Sequence, residues 1–234
     1  FWPVLMKTLT ALMQSLFKGI VADYFKKKAK EGQKVNTARK VVDFFGLNVR
    51  PAELGHIALG ALIYGAAVYY TAFGLAWKTS ALARQEVLVA MFYLVRAGVR
   101  YGYERKYQIA SEYRFWFSGG LLCVGSAVLG NPLSTVGFEL NTAKTAEEKT
   151  RMINMSVLML FIALGLATVF FLLNQVYPTV FFQTATLACT GVALSDILPV
   201  EPMTGKKVWD SNKWMWAGLV AIVVPAFMLF NFVL

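Results

Sequence analysis

Apolar positions along the chain fall into long runs, without the strict alternation of a half-buried strand, and the lengths of these runs are the main guide to its organisation. About 20 consecutive apolar residues cross a bilayer as a helix, and residues 51–77, 152–177 and 214–234 meet that length. Residues 85–103 and 179–200 are also long enough, although Arg96 and Arg100 interrupt the first and Asp196 lies near the end of the second. Residues 115–129 are shorter, contain Gly119, Gly120 and Gly125, and are closed by Asn131 and Pro132. They form either a thin span or a re-entrant hairpin. The pattern predicts an all-α polytopic membrane protein of five to six transmembrane helices. Residues 1–24 are apolar but carry Lys7, Gln14, Lys18 and Asp23, with Leu5, Leu9, Leu12, Leu16 and Ile20 at helical spacing. This predicts an amphipathic helix lying in the membrane interface. A basic linker follows, so the chain divides into an appendage, 1–45, and a membrane domain, 46–234.

Composition supports the membrane reading: 57% of the 234 residues are hydrophobic and only 15% charged, too apolar for a soluble domain of this length. The net charge of +10 raises nucleic acid as a partner, but the basic residues cluster beside apolar runs. Lys26, Lys27, Lys28, Lys30, Lys34, Arg39, Lys40 and Arg50 precede the first long run, and Arg105, Lys106 and Arg114 follow the second. If residues 115–129 are re-entrant, Lys206, Lys207 and Lys213 share that side. Such asymmetry marks the cytoplasmic, matrix or stromal face and favours anionic membrane lipid over nucleic acid. Arg105, Lys106, Lys206 and Lys207 are therefore candidate lipid or subunit contacts.

Polar residues inside the runs are the candidates for chemistry. Arg96, Arg100 and Glu104 recur every four residues on one helical face, so Arg100 and Glu104 are placed to pair. Charge within a membrane is costly. Arg96 and Arg100 either pair with another helix or subunit, or snorkel toward the basic side. His56 is the only histidine. In Glu53-Leu54-Gly55-His56 the position of a first ligand is taken by Ala52, so the paired histidines of H-E-x-x-H cannot form. A zinc site would have to be assembled from His56, Glu104, Asp196 and Glu201, and the simpler reading of His56 is a polar residue at a helix entrance. Cys123 and Cys189 lie in apolar segments and read as small hydrophobes.

Residues 196–216, DILPVEPMTGKKVWDSNKWMW, resemble a motif of the site-2 protease family of intramembrane zinc proteases, N-x-L-P-x-x-P-L-D-G, with Thr204 at the metal-binding Asp. Residues 93–116, YLVRAGVRYGYERKYQIASEYRFW, resemble the catalytic helix of short archaeal-type members, with the family's E-[FY]-R-x-W ending at Glu112 to Trp116. That alignment puts Val95 and Val99 at the zinc histidines and Arg96 at the catalytic Glu. Residues 46–64 resemble the entry to the family's first span, while at 154–161 only the apolar character of a further landmark survives. The resemblance implies a site-2-protease-like fold without catalytic residues, metal or cofactor, structural lipids aside. A membrane scaffold that has lost its chemistry points to an accessory or structural subunit of a larger membrane complex. An energy-converting complex of the mitochondrial inner membrane is the favoured home, with thylakoid and prokaryotic plasma membranes as alternatives. A regulatory pseudoprotease that binds single-span clients, and a divergent active protease, are the competing expectations.

Overall fold

The computed structural model describes residues 42–44, 47–49, 51–76, 78–109, 111–141 and 145–232. The chain divides into units 1–37 and 38–234, and all described residues belong to the second. The amphipathic helix expected over 1–24 lies outside the described residues.

A short antiparallel ribbon, β1 (Val42–Phe44) with β2 (Leu47–Val49), precedes helix α1 (Pro51–Phe73). Proline suits the first helical position, where its missing N–H has no intrahelical partner. Helix α2 (Thr79–Tyr107) runs back along α1 and ends where Gln108 turns into the left-handed region, its N–H bonding the Glu104 carbonyl. Helices α4 (Ala146–Val176) and α5 (Val180–Asp196) form a second antiparallel pair. Thr145 and Glu148 build a capping box at the start of α4, and Thr179 caps α5; these side chains satisfy N–H groups that a helix cannot bond internally. Helices α6 (Thr204–Ser211) and α7 (Lys213–Phe232) close the chain.

Between α2 and α4 lies a segment that turns back on itself. Strand β3 (Ser111–Phe115) pairs antiparallel with β4 (Gly137–Asn141), in a register running from Ser111 opposite Asn141 to Phe115 opposite Gly137. Helix α3 (Phe117–Val128) lies between the strands in sequence and packs along α1, where Thr71 Oγ1 donates to the Ala127 carbonyl. Twelve helical residues span only about 18 Å at 1.5 Å each. The paired strands return the segment to the end from which it left.

The protein is mostly helical, and the two ribbons are additions to the all-α expectation. Three described helices are long and apolar enough to cross a bilayer, over Glu53–Phe73, Ala146–Val176 and Lys213–Asn231, as expected of an integral membrane protein. The further apolar runs appear as α2, which is interrupted by charge, and α5, which has 17 residues.

Contacts gather five helix ends together. Arg100 near the end of α2 meets Glu53 at the start of α1, and Arg96 meets Asp196, the last residue of α5. Arg151 in α4 donates to the carbonyl of Tyr107 at the end of α2, and Trp216 in α7 donates to Ile197 just beyond α5. Close backbone approach is needed in two places. A Cβ on Gly191 would meet the Pro132 carbonyl and the Tyr64 hydroxyl, which donates to Ala188 at 2.6 Å. A Cβ on Gly205 would meet the backbone of Ile197 and Leu198, so this glycine seats α6 against the end of α5. Cys123 and Cys189 are free and buried.

Substituting Gly205 by alanine is expected to destabilise the folded chain by about 1–3 kcal/mol, the usual scale of overpacking. Gly218→Ala, where an added Cβ meets nothing, should be neutral or slightly stabilising. Unfolding in detergent measures both, and equal effects would refute the close approach at Gly205.

Candidate functional site: a charged cavity

The inward face of α2 is set by helical spacing. Tyr93, Arg96, Ala97 and Arg100 follow the i, i+3, i+4, i+7 pattern that shares one face, and all four line a cavity of about 50 Å³. Ile57 of α1 and Tyr113 of β3 close one part of it. Gly137, Phe138 and Glu139 of β4 form another wall, and Asp196, Met203 and Thr204 complete it from the segment between α5 and α6.

Two ion pairs organise this interior. The Arg96 Nη2 donates to Asp196 Oδ2 at 2.8 Å, tying α2 to α5. The Arg100 Nη2 is paired with Glu53 Oε1, with both side chains at most 2% exposed. Glu53 is saturated by further donors: Tyr101 gives its hydroxyl to Oε2 at 2.9 Å, and the Tyr113 backbone N–H reaches Oε1 at 2.5 Å. Glu104 lies 3.7 Å from Arg100 Nε and accepts a hydrogen bond from Ser111. Tyr93 and Ser134 share a hydroxyl hydrogen bond of 2.5 Å. Lys207 turns its ammonium onto the Glu139 carbonyl at 2.6 Å. Loss of hydration there pulls its pKa below the ordinary lysine value, while the nearby Glu139 carboxylate acts in the opposite direction.

The residues singled out from the sequence fall in different places. Val95 is 48% exposed and Val99 is half-buried, and neither lines the cavity. The i, i+4 pair that does is Arg96 and Arg100, one residue further on, because each step along a helix rotates a side chain by about 100°. Arg96 and Arg100, candidates for lipid or subunit contact, are both engaged by carboxylates of their own chain. Lys207 likewise bonds within the chain. Arg105 and Lys106 are exposed, and half-buried Lys206 pairs with Asp210 at 2.5 Å, so these three remain near the surface. Thr204 does lie at the cavity, opposite the α2 face. His56 is half-buried and Glu201 exposed, and neither joins Asp196 at the cavity wall. Among the described residues no three His, Cys, Asp or Glu side chains gather in a metal-binding group.

Sequence reasoning missed Glu53 as a partner of Arg100, and it missed Glu139 altogether. A buried carboxylate in the first turn of an apolar helix was the available signal for Glu53. Nothing local marks Glu139, because β4 is carried to the cavity by pairing with β3.

A catalytic zinc takes three ligands from His, Asp, Glu or Cys and keeps a position open for water. Here the facing helix presents two guanidinium groups, and Asp196 is already bonded to one of them. These residues do not fit that ion. Searches of family models, curated proteins and solved structures find no match to this chain.

Breaking a buried ion pair leaves an uncompensated charge and costs roughly 3–5 kcal/mol. Arg100→Met and Glu53→Gln are each expected to destabilise on that scale, and the double variant should lose clearly less than their sum. A double-mutant cycle on unfolding in detergent measures the coupling, and strict additivity would refute the pair as a stabilising unit.

Proposed function

We propose that this chain is a non-catalytic membrane scaffold derived from an intramembrane metalloprotease, and that it serves as an accessory or structural subunit of a larger membrane complex. In this reading α1, α2, α4, α5 and α7 cross the bilayer and residues 111–141 dip in from one side. The basic residues of the described chain favour that topology. Arg105, Lys106, Lys149, Arg151, Lys206 and Lys213 lie near the end where the helix termini gather, whereas the opposite end carries Lys78 and Arg84 beside the α1–α2 connection and no charge in the connection between α4 and α5. Such an end faces the cytoplasm, matrix or stroma, where anionic lipid headgroups meet it.

The observation that carries the reading is the face α2 turns to the cavity. Arg96-Ala97-Gly98-Val99-Arg100 can be laid on H-E-x-x-H with an arginine at each metal histidine and Ala97 at the general base. This register is one residue from that of Val95, Arg96 and Val99, and it places all three replaced positions on the cavity wall. Thr204 lies across from them, at the Asp position of Leu198-Pro199-Val200-Glu201-Pro202-Met203-Thr204-Gly205. Ion pairs to Asp196 and Glu53 then hold together helices that a metal would otherwise join. A retained scaffold with replaced chemistry suits a constitutive subunit, and an energy-converting complex of the mitochondrial inner membrane is the setting we favour.

Isolation on native gels from its own membrane is expected to recover the chain with the same companions in fixed stoichiometry. Metal analysis of the purified chain should find zinc well below one per chain. One zinc per chain would overturn the loss of catalytic function, and substoichiometric single-span companions would replace the subunit reading with that of a client-binding regulator.

A further inference from the structure

We propose that the charged cavity is a hydration site, in which a fixed cluster of water molecules bridges Arg100 on α2 to Glu139 on β4. The inference rests on the cavity lining alone and holds whether or not the chain is a subunit.

Among the described residues, the buried side-chain atoms of the cavity lining without a hydrogen-bond partner are the three Arg100 nitrogens and Glu139 Oε2, and of the nitrogens Nη2 and Nε at least face the Glu53 and Glu104 carboxylates. Arg100 Nη1 is a donor with no acceptor, on a side chain 2% exposed, and Glu139 Oε2 is an acceptor with no donor. Both residues line the same cavity. Each such group, if dry, carries the full cost of lost hydration, so an occupant must accept from one and donate to the other. Charge narrows its chemistry. The lining residues Arg96, Arg100, Glu139 and Asp196 are two cations and two anions, so an added ion of either sign would meet an equal number of like charges. A neutral, dipolar guest adds no such imbalance, and the hydroxyls of Tyr93, Ser134 and Thr204 offer it further donors and acceptors. Size selects water: at about 10–15 Å³ per molecule the cavity's roughly 50 Å³ holds about three to five. Water would then couple the hairpin to α2 as a direct ion pair couples α5 to α2.

Radiolytic hydroxyl-radical footprinting with mass spectrometry tests this on the full chain in lipid nanodiscs. Tyr93 and Met203 line the cavity while 7% and 3% exposed, and Met159, 1% exposed, does not. Expected is rapid oxidation of Tyr93 and Met203, with Met159 silent, and retention of ¹⁶O for milliseconds after mixing into H₂¹⁸O. Silence at all three would make the cavity dry and overturn the proposal. Immediate ¹⁸O uptake would make it an open channel and overturn the fixed cluster. Glu139→Leu should lower Tyr93 oxidation several-fold, and undiminished labelling in the folded variant would remove Glu139 from the bridge. If that variant does not fold, the wild-type measurement decides hydration by itself.

Discussion

A guanidinium and a carboxylate taken out of water together constrain a fold more tightly than apolar contact does, because their attraction offsets several kcal/mol of desolvation per ion only in good geometry. Arg100 and Glu53 are such a pair. Glu53 also takes the Tyr101 hydroxyl and the Tyr113 N–H, so one carboxylate fixes α1, α2 and β3 against each other. Sliding α2 by a single turn, about 5.4 Å, would break this cluster and separate Arg96 from Asp196 at the same time. Lipid-facing apolar surface offers no comparable resistance to a slide, since hydrocarbon on one side of a helix resembles hydrocarbon on the other.

The long helices were legible in the sequence because length and apolarity are local properties. The placement of α3 was not, since the same apolar stretch suits a thin span or a hairpin until β3 and β4 pair. The need to compensate Arg96 and Arg100 was also legible, and Glu104 was a partner the sequence offered for Arg100. Glu53 drew attention only beside His56, in a motif that Ala52 rules out, while its partner Arg100 lies 47 positions away. Val95 and Val99, set at ligand positions by the resemblance, lie off the cavity, because a match of residue types does not report which face of a helix turns inward. Glu139 had no local signature at all.

The polar side chains of the interior differ in how much tertiary information they carry. Thr184 of α5 also accepts a hydrogen bond from Gln85 of α2, but Thr186, Thr190 and Ser195 each return a hydroxyl hydrogen bond to the carbonyl four residues back. Such residues satisfy themselves within their own helix and present little more than a methyl or methylene to the neighbours. They make an apolar helix that reads as polar. Arg96, Arg100, Glu53 and Asp196 cannot do this, because their charges reach beyond their own turn and must be met from another element.

That division explains why a cavity survives here. Apolar side chains can close over a hydroxyl bonded to its own helix, but they cannot cover a guanidinium that still has an unmatched N–H. The carboxylates supplied by α1 and α5 satisfy one edge of each arginine, and the geometry of two helices and a ribbon leaves Nη1 of Arg100 without a protein acceptor. Replacing both arginines with apolar residues of similar volume would remove the demand for a cavity together with the pairs that hold the register. The arrangement therefore trades close packing at one end of the bundle for a unique alignment of α1, α2, α5 and the hairpin.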